Sequence, residues 1–185
     1  MALQPKPALS KAIQNRVARI AVGPSSVRGS PAGTSHAARS FFSELVLQQL
    51  ADAKDFAADL DRLTGRLLKR LPRPPRNWGL ARKLLNIFLR DCTYNAYLRS
   101  TFRLGRLERH LELPLDSITG RRLRRCKVGR SLPRWPGLIG LTETVSRRYQ
   151  DAAKKYARCR RMRRVHLDVF WWQLNSRRKV IHVKR

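Results

Sequence analysis

Apolar residues in this chain recur every three to four positions and almost nowhere in alternation, which directs the backbone to helices. Phe56, Leu60, Leu63 and Leu67 stand at i, i+4, i+7 and i+11, a single stripe along one helix face. Val145, Tyr149, Ala152, Ala153 and Tyr156 make a second stripe, with Arg147, Arg148, Lys154, Lys155 and Arg158 opposite it. Proline and glycine punctuate the pattern in GPSSVRGSPAGTS (23–35), LPRPPR (71–76) and KVGRSLPRWPG (127–137). Helices are therefore expected at 8–22, from Phe41 to Leu71, and from about Trp78, with TYNAYLRSTF continuing as helix or as a bent extension. RLERHLEL is short and amphipathic. A further helix follows Asp116 or Ser117 as N-cap, and another opens at Thr142 with Glu143 in its first turn. VHLDVFWWQLN reads as a short buried helix, although its β-branched and aromatic residues also suit a strand. The expected fold is mostly α. A single compact helical domain (36–176) follows a basic N-terminal helix and Gly/Ser/Pro loop (1–35) and precedes a basic tail (177–185).

Charge limits what such a domain can do. The 185 residues hold 41 Lys and Arg against 12 Asp and Glu, a formal net charge of +29 and a pI near 11.8. A hydrophobic fraction of 42% supports one core, so the surplus cations sit on a folded body that repels itself until a polyanion neutralises it. Nucleic acid is the expected partner, because each cation near a phosphate releases a condensed counterion. The excess is mostly arginine, whose planar fork grips phosphate and stacks on bases. That favours nucleic acid, DNA over RNA, above membrane adsorption. No apolar run approaches the ~20 residues that span a bilayer, so no membrane partner is expected. The N-terminus lacks acids and has the look of a transit peptide, but an ordinary first helix is the favoured reading. Cys92, Cys126 and Cys159 are odd in number and lack CxxC spacing. A disulfide framework, metal site or cofactor is not expected, and an intracellular monomer of the cytoplasm or nucleoid is.

Four constellations are candidates for chemistry. In WGLARK (78–83), Gly79 permits close backbone approach at a helix N-terminus, where phosphate binds. Lys83 has Gly79 and Leu80 a turn before it and Asn86 and Ile87 a turn after. On that partly apolar face it is either a lysine snorkelling beside leucines or a desolvated amine with a lowered pKa, able to act as a nucleophile. In Pro114-Leu115-Asp116-Ser117, the Asp116 carboxylate caps a helix, orients a base or stabilises a cation. In His166-Leu167-Asp168-Val169-Phe170-Trp171-Trp172, the His and Asp are two apart and do not face each other on a helix. The aromatics there, Phe170, Trp171 and Trp172, are either core or a platform for an extruded base, and Asp168 is placed to pair with an arginine. The loop Gly23–Gly29 is either a linker or a cup for phosphate. The phosphate-contact candidates are Arg28, Arg82, Arg121, Arg122, Arg124, Arg125, Arg160, Arg161, Arg163 and Arg164.

The helix lysine and the Pro-x-Asp some thirty residues later resemble the helix-hairpin-helix DNA glycosylases, most nearly the 8-oxoguanine branch with its archaeal form. GLARKLLNIFL is similar to that family's lysine-bearing helix and LPLDSITGRRL to its aspartate motif, so the likeness covers about residues 76–125. It implies that Lys83 attacks the sugar C1′ and that Asp116 activates the lysine or stabilises the oxocarbenium. The family's glycine-rich hairpin is missing, and only Gly79 remains of it. Three functions follow as expectations: a DNA base-excision glycosylase/lyase, a non-catalytic DNA- or RNA-binding helical protein, and a basic module neutralised by an acidic protein partner.

Overall fold

The helical periodicity is realised, and each interruption has a local cause. The computed structural model describes residues 7–72 and 77–172. Its helices are α1 (Pro7–Ala21), α2 (Thr34–Glu44), α3 (Leu47–Ala51), α4 (Phe56–Arg70), α5 (Trp78–Tyr94), α6 (Ala96–Thr101), α7 (Ser117–Arg125) and α8 (Glu143–Cys159). Residues 167–172 form the described part of α9, and no strand occurs among the described residues. The strand alternative for VHLDVFWW is thereby settled as helix. The expected basic tail at 177–185 lies outside the described residues, as do 73–76 of the proline-rich break.

The helix expected from Phe41 to Leu71 is instead three. Leu45 leaves α2 in extended backbone (φ −66°, ψ 136°). Asp55 then starts α4 afresh, its Oδ1 accepting from the amides of Ala57 and Ala58 at 3.1 Å each. An aspartate that can bond to nearby amides favours a cap over a helix interior, and apolar spacing alone does not register this. Asn95 works the same way, ending α5 and accepting from Leu98 N at 3.0 Å to open α6.

α5 organises the packing. Every residue from Gly79 to Leu89 is buried, which only a helix covered on nearly all sides achieves. On one side lies a core built from α1, α2, α4 and α6, in which Phe42 stacks flat on Phe88 with centroids 4.5 Å apart. On the other, Leu113, Leu115, Leu123, Leu141, Tyr149 and Trp171 make a second core. The two meet at an extended segment, with Leu111 in the first core and Leu113 in the second.

That seam is polar. Arg82 grips Glu112 with two bonds (Nε–Oε2 2.7 Å, Nη2–Oε1 3.0 Å) and reaches Asp61 Oδ1 at 2.8 Å and Thr64 Oγ1 at 3.0 Å. The Gln150 side chain brackets Leu113, accepting from its N–H at 3.0 Å and donating to its carbonyl at 2.8 Å. Arg164 donates to the carbonyls of Leu111 (2.9 Å) and His110 (3.1 Å). The loop after α7 is pressed equally close. A Cβ on Gly120 would lie 2.4 Å from the Trp135 ring, and one on Gly79 would lie 2.4 Å from the Leu138 carbonyl oxygen.

Burial alone would raise the Glu112 pKa, but the Arg82 hydrogen bonds and charge, aided by Arg164 and Asn86, outweigh it and hold Glu112 below the ordinary range. Its stabilising contribution is complete above the unfolded value of about 4.3 and is lost as pH falls through the lower folded value. Glu112→Gln is expected to cost about 3 kcal/mol in urea unfolding at pH 7, because it strips charge from a buried partner. The gap from the parent should close as pH falls through the folded Glu112 pKa.

Candidate functional site

Asn77 caps α5 by accepting from Leu80 N at 2.8 Å, and this fixes the phase of the helix. Arg82 therefore points into the polar seam, while Lys83, one residue on, points to a different side. The Lys83 ammonium meets loop 23–30, donating to the Ser26 carbonyl at 3.3 Å, and the residue is only 9% exposed. Burial lowers its pKa from the ordinary lysine value, and the charges of Asp116 and Asp168 oppose that shift. Three carboxyl or amine groups far apart in sequence thus act on one another, brought together by α5, the start of α7, and α9.

Each carboxylate is anchored elsewhere. Asp116 is the N-cap of α7. Its Oδ1 accepts from Ile118 N (2.9 Å) and Thr119 N (2.8 Å), while Thr119 Oγ1 accepts from Asp116 N (2.8 Å), a reciprocal capping box. The capping role read from the sequence is therefore present, and the same carboxylate acts on Lys83 through space. Asp168 is 8% exposed and forms an ion pair with Arg90. Burial raises its pKa and the Asp116 charge adds to that, against the pull of Arg90 and Lys83. His166 bonds to the Tyr94 hydroxyl at 2.7 Å and makes no dyad with Asp168. The sequence placed Asp168 near an arginine without saying which. Arg90 and the Ser26 carbonyl carried no signal of their own, since one is an ordinary helix arginine and the other is backbone.

Several expected contact residues are internal. Arg82, proposed for phosphate, is 7% exposed and saturated by Glu112, Asp61 and Thr64, with the Trp78 ring 5.6 Å from its guanidinium carbon. Arg164 is spent on two backbone carbonyls, and burial lowers its pKa. Trp171, proposed for base stacking, is 2% exposed and packs against Tyr156. Helical periodicity buries it as part of the second core. Gly79 likewise admits the Leu138 backbone and not a ligand. In the Gly/Ser loop, the amides of Ser26 and Ser30 donate to Gly23 and Val27 carbonyls at 3.0 and 2.9 Å, so both are already used in turns.

The remaining candidates are at the surface. Arg28, Arg121, Arg124, Arg125, Arg160, Arg161 and Arg163 are exposed, and Arg122 is half-buried. Phe170 is half-buried, and Trp172 is 54% exposed. Residues 113–172 hold sixteen Lys and Arg against four Asp and Glu. Among the described residues no cluster of three or more His, Cys, Asp or Glu is placed to hold a metal, the three cysteines are free, and no helix is long and apolar enough to cross a membrane. Comparison with protein families, with curated proteins and with solved structures finds no match.

A lysine whose folded pKa lies below its unfolded value of about 10.4 binds fewer protons when folded, so stability rises with pH between the two values. Lys83→Met should remove that rise. The stability difference between the parent and Lys83→Met, followed by urea unfolding from pH 7 to 10.5, is expected to move in favour of the parent as pH increases. A difference independent of pH would show that Lys83 is not desolvated.

Proposed function

We propose that the protein binds nucleic acid through the exposed arginines of α7, α8 and the connection that follows α8. The observation that carries this reading is the fate of the acids in residues 113–172. Asp116 is a helix cap, Asp168 is paired with Arg90, and Glu143 with Arg147, which leaves Asp151 alone among the described residues of that stretch without such an engagement. The arginines therefore meet little internal countercharge, and a phosphate backbone supplies it at the gain of counterion release. Duplex DNA is the preferred partner in this reading. Binding of a fluorescent duplex should weaken linearly in log K against log salt. Arg124→Ser/Arg125→Ser should lower the slope by about 2, one per phosphate contact. Affinity insensitive to both salt and this substitution would eliminate the reading.

A second reading has its own support, the convergence of Lys83, Asp116 and Asp168. It is the base-excision chemistry that the helix-hairpin-helix resemblance implies. The unprotonated Lys83 amine attacks the sugar C1′, the glycosidic bond breaks with its electron pair leaving on the base, and Asp116 stabilises the developing positive charge on the sugar. The Schiff base formed on ring opening is reducible by borohydride to a stable amine. Trp172 and Phe170 would offer the base its stacking surface. The Ser26 carbonyl closes over the amine, so this reading requires loop 23–30 to move aside for the sugar. Incubation with lesion-bearing duplexes and borohydride is expected to give a protein–DNA adduct that Lys83→Gln abolishes. Absence of any adduct across a panel of lesions would remove catalysis and leave binding.

A further inference from the structure

A cleft of about 480 Å³ opens between the 3-10 turn at Leu104–Leu107 and the segment after α8, lined by Gly105, Arg106, Glu108, Arg109 and Arg163. A neighbouring cleft of about 370 Å³ shares Arg106 and Arg109 and adds Lys54 and His110. Three guanidinium groups on one small concavity repel one another unless something anionic lies between them. The one carboxylate lining the first cleft, Glu108, is committed to Arg99. Neither Arg106 nor Arg163 forms an ion pair or side-chain hydrogen bond among the described residues, while Arg109 donates from Nε to His110 Nε2 at 2.9 Å. Partial burial and the charges of Arg109 and Arg164 lower the His110 pKa below the ordinary histidine value.

Arg103 and Arg161, each with φ 53°, end α6 and α8 in the left-handed conformation usual after a helix. Arg161 N bonds to the Arg158 carbonyl and Met162 N to that of Ala157, both at 3.0 Å. The two residues so begin the segments that carry Arg106 and Arg163 to the cleft.

We infer that this cleft is a phosphate-binding site, in which Arg106, Arg109 and Arg163 converge on one phosphate group. Guanidinium forks match phosphate oxygens in geometry as well as charge. The inference rests on the nucleic-acid reading only for what carries the phosphate, a nucleic-acid backbone or a free nucleotide. Of the three, Arg163 alone carries a sequence signal, since Arg106 and Arg109 lie in a short amphipathic stretch far from the paired arginines.

His110 lines the adjoining cleft and accepts a bond from Arg109 at 2.9 Å, so an anion gathered by Arg109 favours the imidazolium and raises its pKa. The pKa of His110 is followed by proton–carbon NMR of the full chain in buffer without multivalent anions, then with inorganic phosphate, a mononucleotide or a twelve-base oligonucleotide. Phosphate is expected to raise the His110 pKa in the parent and to leave it unmoved in Arg106→Ser/Arg163→Ser, whose substitutions are at exposed positions and whose folding is verified by its helical circular dichroism. A drop of about 2 in the oligonucleotide salt slope of that variant assigns the site to the backbone. An unchanged slope, with the mononucleotide response lost, assigns it to a free nucleotide. No movement of His110 with any of the three anions overturns the inference. Arg124→Ser/Arg125→Ser serves as the comparison. If it weakens oligonucleotide binding while the cleft variant matches the parent in every assay, the α7–α8 reading stands and the cleft fails, and the reverse pattern removes the α7–α8 reading alone.

Discussion

A single buried guanidinium joins the two halves of this molecule. Arg82 presents a rigid fan of donors, and the fold spends them on Glu112, Asp61 and Thr64 while the Trp78 ring lies near its charge. Glu112 stands between Leu111 and Leu113, which belong to different cores, so the contact sets how the segment crosses the gap. Gln150 and Arg164 complete the hold by bonding the main chain on either side. An apolar seam would tolerate a shift of one residue. A seam of directional bonds does not, because a slip leaves a buried charge without its partner.

Lys83 follows Arg82 in sequence and meets the opposite treatment. Arg82 has three side-chain partners, whereas the Lys83 ammonium has one backbone carbonyl and two carboxylates that act on it through space. Those carboxylates are themselves occupied, Asp116 by helix amides and Asp168 by Arg90. A buried cation with one direct hydrogen-bond partner carries a desolvation cost, which shows as its lowered pKa. Structural economy favours a leucine there. The arrangement makes chemical sense if the amine is wanted in its neutral form, and that is why the second functional reading attaches to this residue and not to the many lysines and arginines outside.

The distribution of charge follows the same division. The arginines that look alike in the chain separate into two populations: Arg82, Arg90 and Arg164, engaged by carboxylates and carbonyls of the fold, and Arg106, Arg121, Arg124, Arg125, Arg160, Arg161 and Arg163, which face solvent. The interior set shapes the fold. Few acids accompany the outer set: of the four in residues 113–172, Asp168 is buried and Asp116 caps a helix, while Glu143 and Asp151 lie at the surface.

Helix content, the capping role of Asp116, the helix opening at Thr142 and the charge surplus were all legible in the amino-acid order, because each depends on residues within a turn or two of one another. The stop inside 41–71 was legible in principle through Asp55, but a periodic apolar stripe outweighs one cap when only spacing is considered. Which arginines are spent internally, which aromatic of the 170–172 run is buried, and the meeting of Lys83 with Asp116, Asp168 and the Ser26 carbonyl were settled only by tertiary structure. Those facts depend on where distant segments cross α5. A crossing is set by the summed packing of two cores and by the bonds of Arg82 to residues 21 and 30 positions away, and no local pattern encodes that.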